Sequence, residues 1–255
     1  MLHAYGISHT GLVRKGNEDG LICSDALRLF AVADGMGGHL AGEVASRLAL
    51  EALEEFVRRS HDESDFSWPY GIDPQLTLVG NRLRNAIYLA NRRVFRASES
   101  CGDYAGMGTT MTAALVSADR LSYAHVGDSR LYVLERGEFR QLTKDDSWVA
   151  TILANEPAMS RADLARHPMR HVLTNVLGAR DEVGIQLEEI SLAGPQLFLI
   201  CSDGLHGLVD DDAMRGILGS DEPLEQLGQR LLQAALDNGG HDNITAVLVR
   251  HTPAP

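Results

Sequence analysis

Residues 110–141 read TMTAALVSADRLSYAHVGDSRLYVLERGEFRQ, and the connections inside this stretch decide the fold. Apolar runs with β character cover 110–117, 121–126 and 130–134. Asp119-Arg120 separates the first two, and Arg136-Gly137-Glu138 separates a later pair. Turns this short join antiparallel neighbours, because a parallel pair needs a long crossover. Working outward, similar runs occur at 6–10, 27–33, 185–192, 196–201 and 244–250. Apolar residues spaced by three and four predict helices over 42–59, 74–98 and 223–237. Pro74 suits a first helical turn, and Gly239-Gly240 ends the last helix. The polar stretch 61–73 reads as a loop. Hairpin strands with helices in separate blocks predict an α+β fold. The expected architecture is a four-layer αββα sandwich, two antiparallel sheets flanked by helices. Residues 1–255 read as one domain. Within it, 147–179 is irregular, holds Pro157 and Pro168, and reads as a flap subdomain over one edge.

The chain has 255 residues, 35 acidic and 23 basic, with a formal charge of −12. That balance argues against nucleic acid or an anionic membrane as the main partner. Three cysteines, Cys23, Cys101 and Cys201, are widely spaced with no CxxC pair. Neither a disulfide framework nor a thiolate zinc site is indicated. Cys23 and Cys201 lie in apolar runs and read as core residues. No signal-peptide pattern and no apolar run of ~18 residues is present, so a cytoplasmic protein without a membrane span is expected.

One local arrangement recurs. LFAVADG places Asp34 after an apolar strand and before Gly35, and LFLICSDG does the same with Asp203 and Gly204. AHVGDSR puts Asp128 two residues past a strand, and GGHDNITAVLV puts Asp242 just before one. RKGNEDG adds Glu18 and Asp19. Singly, Asp-Gly at a strand end is a turn. Together, strand ends in a layered sheet converge. Two carboxylates ~5 Å apart repel by about 3 kcal/mol at an effective dielectric near 20. Such a cluster protonates, spreads apart or binds cations. Oxygen donors without zinc-type ligands suit Mg²⁺ or Mn²⁺, and two such ions would activate water and clamp a phosphoryl oxygen. Gly35-Met36-Gly37-Gly38 resembles a dinucleotide loop, but the third glycine of GxGxxG falls on Leu40. The glycines fit a backbone that approaches a metal, with the Gly35 carbonyl as a ligand.

In order along the chain stand Arg14…Asn17-Glu18-Asp19, Asp34-Gly35-Met36-Gly37-Gly38-His39…Gly42-Glu43, Gly108-Thr109-Thr110, Val126-Gly127-Asp128-Ser129-Arg130, Leu142-Thr143…Asp145, Ser202-Asp203-Gly204-Leu205 and Asp242-Asn243. This set resembles the bacterial metal-dependent Ser/Thr protein phosphatases of the PPM (type 2C) family. The resemblance implies a central β-sandwich flanked by helices, with 147–179 as the family's flap. It implies hydrolysis of phosphoserine and phosphothreonine by a water bridging two Mn²⁺ or Mg²⁺ ions, with no phospho-enzyme. Asp34 would bridge the two ions, and the Gly35 carbonyl would complete the first site. Asp203 and Asp242 would hold the second, with Glu18 and Asp19 binding directly or through water. Asp128 with Asp203 would form a weaker third-ion site, and Arg14 would grip the substrate phosphate. Implied partners are phosphorylated proteins, including a Ser/Thr kinase or its targets, and at family level a secretion-system control pathway.

The chain departs from the family pattern in two places. Met36 stands where some eukaryotic members carry a histidine proposed as the leaving-group acid, which leaves His39 or a metal-bound water. Asp146 replaces the histidine of the LTxDHS motif and reads as a surface turn residue, or as one that alters the flap's contacts. Arg161, Arg166 and Arg170 are candidates for contact with an acidic phosphopeptide, or are solvated surface arginines. His125 reads as a satisfied core residue, while His171 and His206 carry no assignment.

Overall fold

The computed structural model describes residues 1–38, 40–62, 66–155, 164, 167–169 and 171–253. Two antiparallel sheets form its centre. The first runs β1 (Leu2–His9), β11 (Ile244–His251), β10 (Gln196–Cys201), β7 (Arg130–Glu135), β8 (Glu138–Gln141). The second runs β2 (Asp19–Ser24), β3 (Leu29–Met36), β5 (Met111–Val116), β6 (Arg120–Val126), β9 (Gln186–Ser191), and β4 (Gly108–Thr109) pairs with β3.

The central strands are apolar at nearly every position because both faces of each sheet are covered. Alternate residues feed different layers. Phe30 and Val32 of β3 meet Phe198 and Ile200 of β10 and Val247 and Val249 of β11 between the sheets. Leu29, Ala31 and Ala33 point the other way, onto α1 (Ala41–Asp62) and α2 (Leu78–Ser100). Leu199, Cys201 and Leu248 face the opposite outside, under α5 (Asp211–Leu218) and α6 (Leu224–Asp237). The αββα sandwich expected from the hairpins is the observed architecture. A short α3 (Trp148–Asn155) lies within the stretch 147–179, and α4 (Asp203–His206) follows β10 directly.

The structure corrects several sequence expectations. β2 and α5 carried no assignment. The helix expected from Pro74 starts at Leu78 instead, because Leu76 N closes a turn onto the Asp73 carbonyl and Thr77 caps the helix. The Thr77 hydroxyl accepts from Gly80 N at 3.1 Å and also bonds Glu189 of β9. Thr77→Ala is therefore expected to cost about 1–2 kcal/mol, read as a lower urea midpoint with unchanged slope. Cys201 is buried as expected, but Cys23 is exposed, on edge strand β2, where it shares the face of Leu21 beside Gly6 of β1. The stretch 61–73 is not wholly solvated, since the Phe66 and Trp68 rings lie 4.9 and 6.2 Å from Phe56. Among the described residues no helix is long and apolar enough to cross a membrane. His39, Pro157, Arg161, Arg166 and Arg170 lie outside the described residues.

Candidate metal centre

Strand register brings the acids to one end of the sandwich. Asp19 and Asp34 are direct cross-strand partners in β2 and β3. Cys201 at the end of β10 pairs with Arg130 at the start of β7 and with Ala246 near the start of β11. That places Asp203 beyond the end of β10, Asp242 ahead of β11 and Asp128 ahead of β7 at the same edge. Arg14, Glu18, Asp34, Gly35, Asp128, Asp203 and Asp242 line one cleft of about 580 Å³, with Met36, Gly37, Thr110, His171, Leu173 and Val176 completing the wall. Asp19 is buried just behind it, where Ser202 Oγ donates to its Oδ2 at 2.7 Å.

The backbone is pinned more tightly than the motifs alone indicated. Asp34 N donates to Thr110 Oγ1 at 2.9 Å, and Thr109 Oγ1 donates to the Asp34 carbonyl at 2.8 Å. Glu18 N donates to Asn243 Oδ1 at 2.8 Å, and Asn243 Nδ2 donates to the Thr10 and Gly16 carbonyls, both at 2.9 Å. Asn243 thus seats the loop that carries Arg14 and Glu18 beside Asp242. Ser202, Thr110 and Asn243 stand in the quoted motifs, which by themselves assign them no role. Gly35 has no room for a side chain, because an added Cβ would stand 2.0 Å from the Gly42 carbonyl oxygen and 2.7 Å from that of Glu18. Arg14 reaches across the cleft mouth, and its terminal nitrogen donates to Asp242 Oδ2 at 2.6 Å. Its fork keeps further donors for a ligand. Arg130 holds Asp145 by two parallel bonds, Nε to Oδ1 at 2.9 Å and Nη2 to Oδ2 at 2.7 Å, beside the Asp128 turn. His206 Nε2 lies 3.0 Å from the Asp128 carbonyl oxygen, and burial pushes this imidazole down to about 4, so it donates as a neutral ring.

The electrostatics state the problem that the site presents. Burial, then the charges of Asp19, Asp203, Asp128 and Asp242, hold Asp34 well above the usual carboxylate range. Burial, with Asp203 and Asp242 adding, pushes Asp19 up to about 6 despite its hydroxyl bonds. Burial and Asp203 push Asp128 up to about 7, and burial with Asp242 raises Asp203. Asp19 Oδ1 and Asp203 Oδ1 are buried without a hydrogen-bond partner, which costs free energy unless a cation takes the lone pairs. Among the described residues no three acids, histidines or cysteines close into a ready-made cage. Carboxylates set around an open cleft suit Mg²⁺ or Mn²⁺, which keep several waters. The donor set is all oxygen, so the residues fit hard divalent cations.

His171, which carries no assignment from the sequence, stands in the cleft wall. His125 is buried, with Nδ1 2.9 Å from Thr112 Oγ1 and Nε2 unpartnered, so it is a core residue only half satisfied. Asp146 is not merely a surface turn residue. It accepts from Gly127 N, Asn175 Nδ2 and Gln186 Nε2.

Residues 16–249 match the family described as protein phosphatase 2C. The chain is 39% identical over 242 residues to the serine/threonine protein phosphatase PstP of Mycobacterium tuberculosis, covering 94% of this chain and 43% of that protein. It therefore spans less than half the length of that relative. It is 33% identical over 255 residues to the serine/threonine phosphatase stp of Listeria welshimeri, covering 97% of this chain and 95% of that one. The crystal structure of the PstP catalytic domain in complex with two manganese ions superposes with a TM-score of 0.84, at 36% identity over 99% of both chains. The motifs, the layered fold and these likenesses agree, and the chain belongs to the protein phosphatase 2C family.

Proposed function

We propose that this protein removes phosphate from phosphoserine and phosphothreonine in proteins with the help of two divalent cations, Mn²⁺ or Mg²⁺. The observation that supports this most strongly is the pair of orphaned, buried carboxylate oxygens on Asp19 and Asp203, set among acids whose charges raise one another's proton affinity. Asp34 with the Gly35 carbonyl would hold one cation. Asp203 and Asp242 would hold the second, with Glu18 and Asp19 supporting it directly or through water. Asp128, with Asp203, would offer a weaker third position. Bound cations of this kind lower the pKa of water and neutralise phosphoryl oxygens.

The chain's own residues do the rest. Thr109 and Thr110 fix the Asp34 backbone, so its carboxylate would meet a cation with little reorganisation of the strand. Asn243 and Asp242 orient the Arg14 loop, and the guanidinium presents paired donors to the equatorial oxygens of the phosphate. Met36 has no proton to give. The leaving alkoxide must draw its proton from water or from a group elsewhere in the wall. A phosphoprotein substrate implies an opposing Ser/Thr kinase, and control of a secretion apparatus is a narrower form of the same reading.

The test is phosphate release from a phosphothreonine peptide and from an aryl phosphate. Both are expected with Mn²⁺, and both are expected to vanish in excess chelator and return when Mn²⁺ is restored. Equal rates in chelator and in Mn²⁺ would end the metal-dependent reading.

A further inference from the structure

Asp146 stands where the flap leaves the sandwich, and its carboxylate gathers three separate pieces of chain. Oδ2 accepts from Gly127 N at 3.1 Å and from Asn175 Nδ2 at 2.8 Å, while Oδ1 accepts from Gln186 Nε2 at 3.0 Å. The main chain joins in. Asp146 N donates to the Gly127 carbonyl at 2.6 Å, and Thr174 N donates to the Asp146 carbonyl at 2.8 Å. The donors are themselves anchored, since Asn175 Nδ2 also reaches the Gly184 carbonyl at 2.8 Å and Gln186 Nε2 the Lys144 carbonyl at 2.7 Å.

The three pieces are functionally different. Gly127 precedes Asp128 and holds a left-handed φ of +105°, in a turn whose far side is held by His206 at the Asp128 carbonyl and by Thr110 and Thr112 at Ser129. Asn175 lies between Leu173 and Val176, which with His171 form the flap side of the cleft wall. Gln186 opens β9, part of the rigid sheet. The flap's two ends are zipped to each other by Trp148 N donating to the Val172 carbonyl at 2.9 Å and by the Ser147–Leu173 bridge. Those contacts do not touch the Asp128 turn. Among the described residues, the hydrogen bonds between the flap and that turn run through Asp146. The chemistry selects the residue. A carboxylate offers about four lone-pair sites, an amide oxygen two, and a neutral imidazole a single acceptor nitrogen.

We propose that Asp146 is a positioning residue that fixes the flap's cleft wall and the Asp128 turn in one frame, and so sets how well the cleft accepts a phosphorylated protein segment as against a small phosphate ester. The proposal rests on the phosphatase reading. A peptide extends past its phosphate and needs the wall formed by His171, Leu173 and Val176. A small ester reaches the acids and Arg14 without it. Loosening the frame therefore penalises the peptide selectively.

The experiment has two arms. Hydrogen exchange on the metal-free protein reads the frame itself, and kinetics with Mn²⁺ read its use. In Asp146→Ala, amides of 172–177 and Gly127 are expected to exchange roughly tenfold faster while β10 stays protected. KM for a phosphothreonine peptide should rise about tenfold, with KM for an aryl phosphate within about twofold. Asp146→Asn should recover part of both effects, because its one oxygen still accepts from Gly127 and Asn175. Should Asp146→Ala fail to fold, Asn175→Ala reads the same two quantities. Wild-type exchange at 172–177 in the variant overturns the proposal, and so does an equal rise in KM for both substrates. If the wild-type protein cleaves neither substrate, the phosphatase reading fails, and the exchange arm still decides whether Asp146 holds the frame.

Discussion

Asp34→Asn is expected to lower phosphate release from a phosphothreonine peptide by at least about a thousandfold at saturating Mn²⁺, a loss of about 4 kcal/mol in transition-state stabilisation. The substitution changes almost nothing else. Asp34 is fixed through its backbone, by Thr110 Oγ1 on its N–H and Thr109 Oγ1 on its carbonyl, so an isosteric side chain leaves the strand in place. What it removes is the negative charge that stands among Asp19, Asp203, Asp128 and Asp242. A neutral amide binds a hard cation more weakly and does not serve two of them at once. The same change should make the metal-free protein more stable than wild type, because one of the mutually repelling buried charges is gone. Activity and stability would then move in opposite directions, which separates a ligand from a structural residue. Residual activity above about a tenth of wild type would remove Asp34 from the centre.

Mn²⁺ is expected to stabilise the protein by about 5 kcal/mol at pH 8 when present at a hundred times its dissociation constant at two sites, from about 2.7 kcal/mol per site. The pH dependence carries the sign. Asp19 at about 6 and Asp128 at about 7 bind protons more tightly in the folded chain than unfolded carboxylates do near 3.9. Their contribution to stability is therefore fully present below the unfolded value and is lost as pH rises through 6 and 7. The metal-free protein should gain stability as pH falls from 8 to 6.5, by about 1 kcal/mol or more. His206 works in the other direction. Burial lowers it to about 4, so its contribution is lost as pH falls below about 6.5, which fixes the lower limit of the comparison. With Mn²⁺ bound, protons compete with the cation and the slope reverses, so stability falls on acidification. Urea midpoints at pH 8 and 6.5, with and without Mn²⁺, give all four values. A metal-free protein with equal midpoints at both pH values would show that these acids are not strained by one another.

The parts of the fold legible in the sequence are those where one residue pattern has one structural solution. The Asp119-Arg120 and Arg136-Gly137-Glu138 turns leave only antiparallel pairing, and β5 to β8 follow from them. The all-apolar run of β10 needs cover on both faces, and the αββα layering follows. What was missed is short or supported from afar. The strand β2 is six residues with a single buried side chain, Ile22, and owes its existence to pairing with β3. The helix α5 buries only Met214 and Leu218, too few for a periodic signal. Pro74 suits a helix start equally well as a turn, and the choice was made by Asn81, whose side chain bonds the Asp73 backbone and holds 73–77 as a turn. The acids of the cleft were legible because charge placed at strand ends has no structural use in such numbers. The role of Asp146 was not, because its partners Gly127, Asn175 and Gln186 are far apart in sequence and carry no shared motif.

The strand β11 is wedged between β1 and β10, and Asp242 and Asn243 stand at its entrance. Asn243 seats the loop bearing Arg14 and Glu18, so cleft residues near the start of the polypeptide are aligned by a residue more than two hundred positions later. A nascent chain still threaded through the ribosome, at roughly 5–20 residues per second, would therefore carry Asp34 and Asp128 for many seconds without a competent centre. On the phosphatase reading, activity is expected only once translation has delivered β11, and a fragment clipped ahead of that strand by a protease is expected to be inert rather than unregulated.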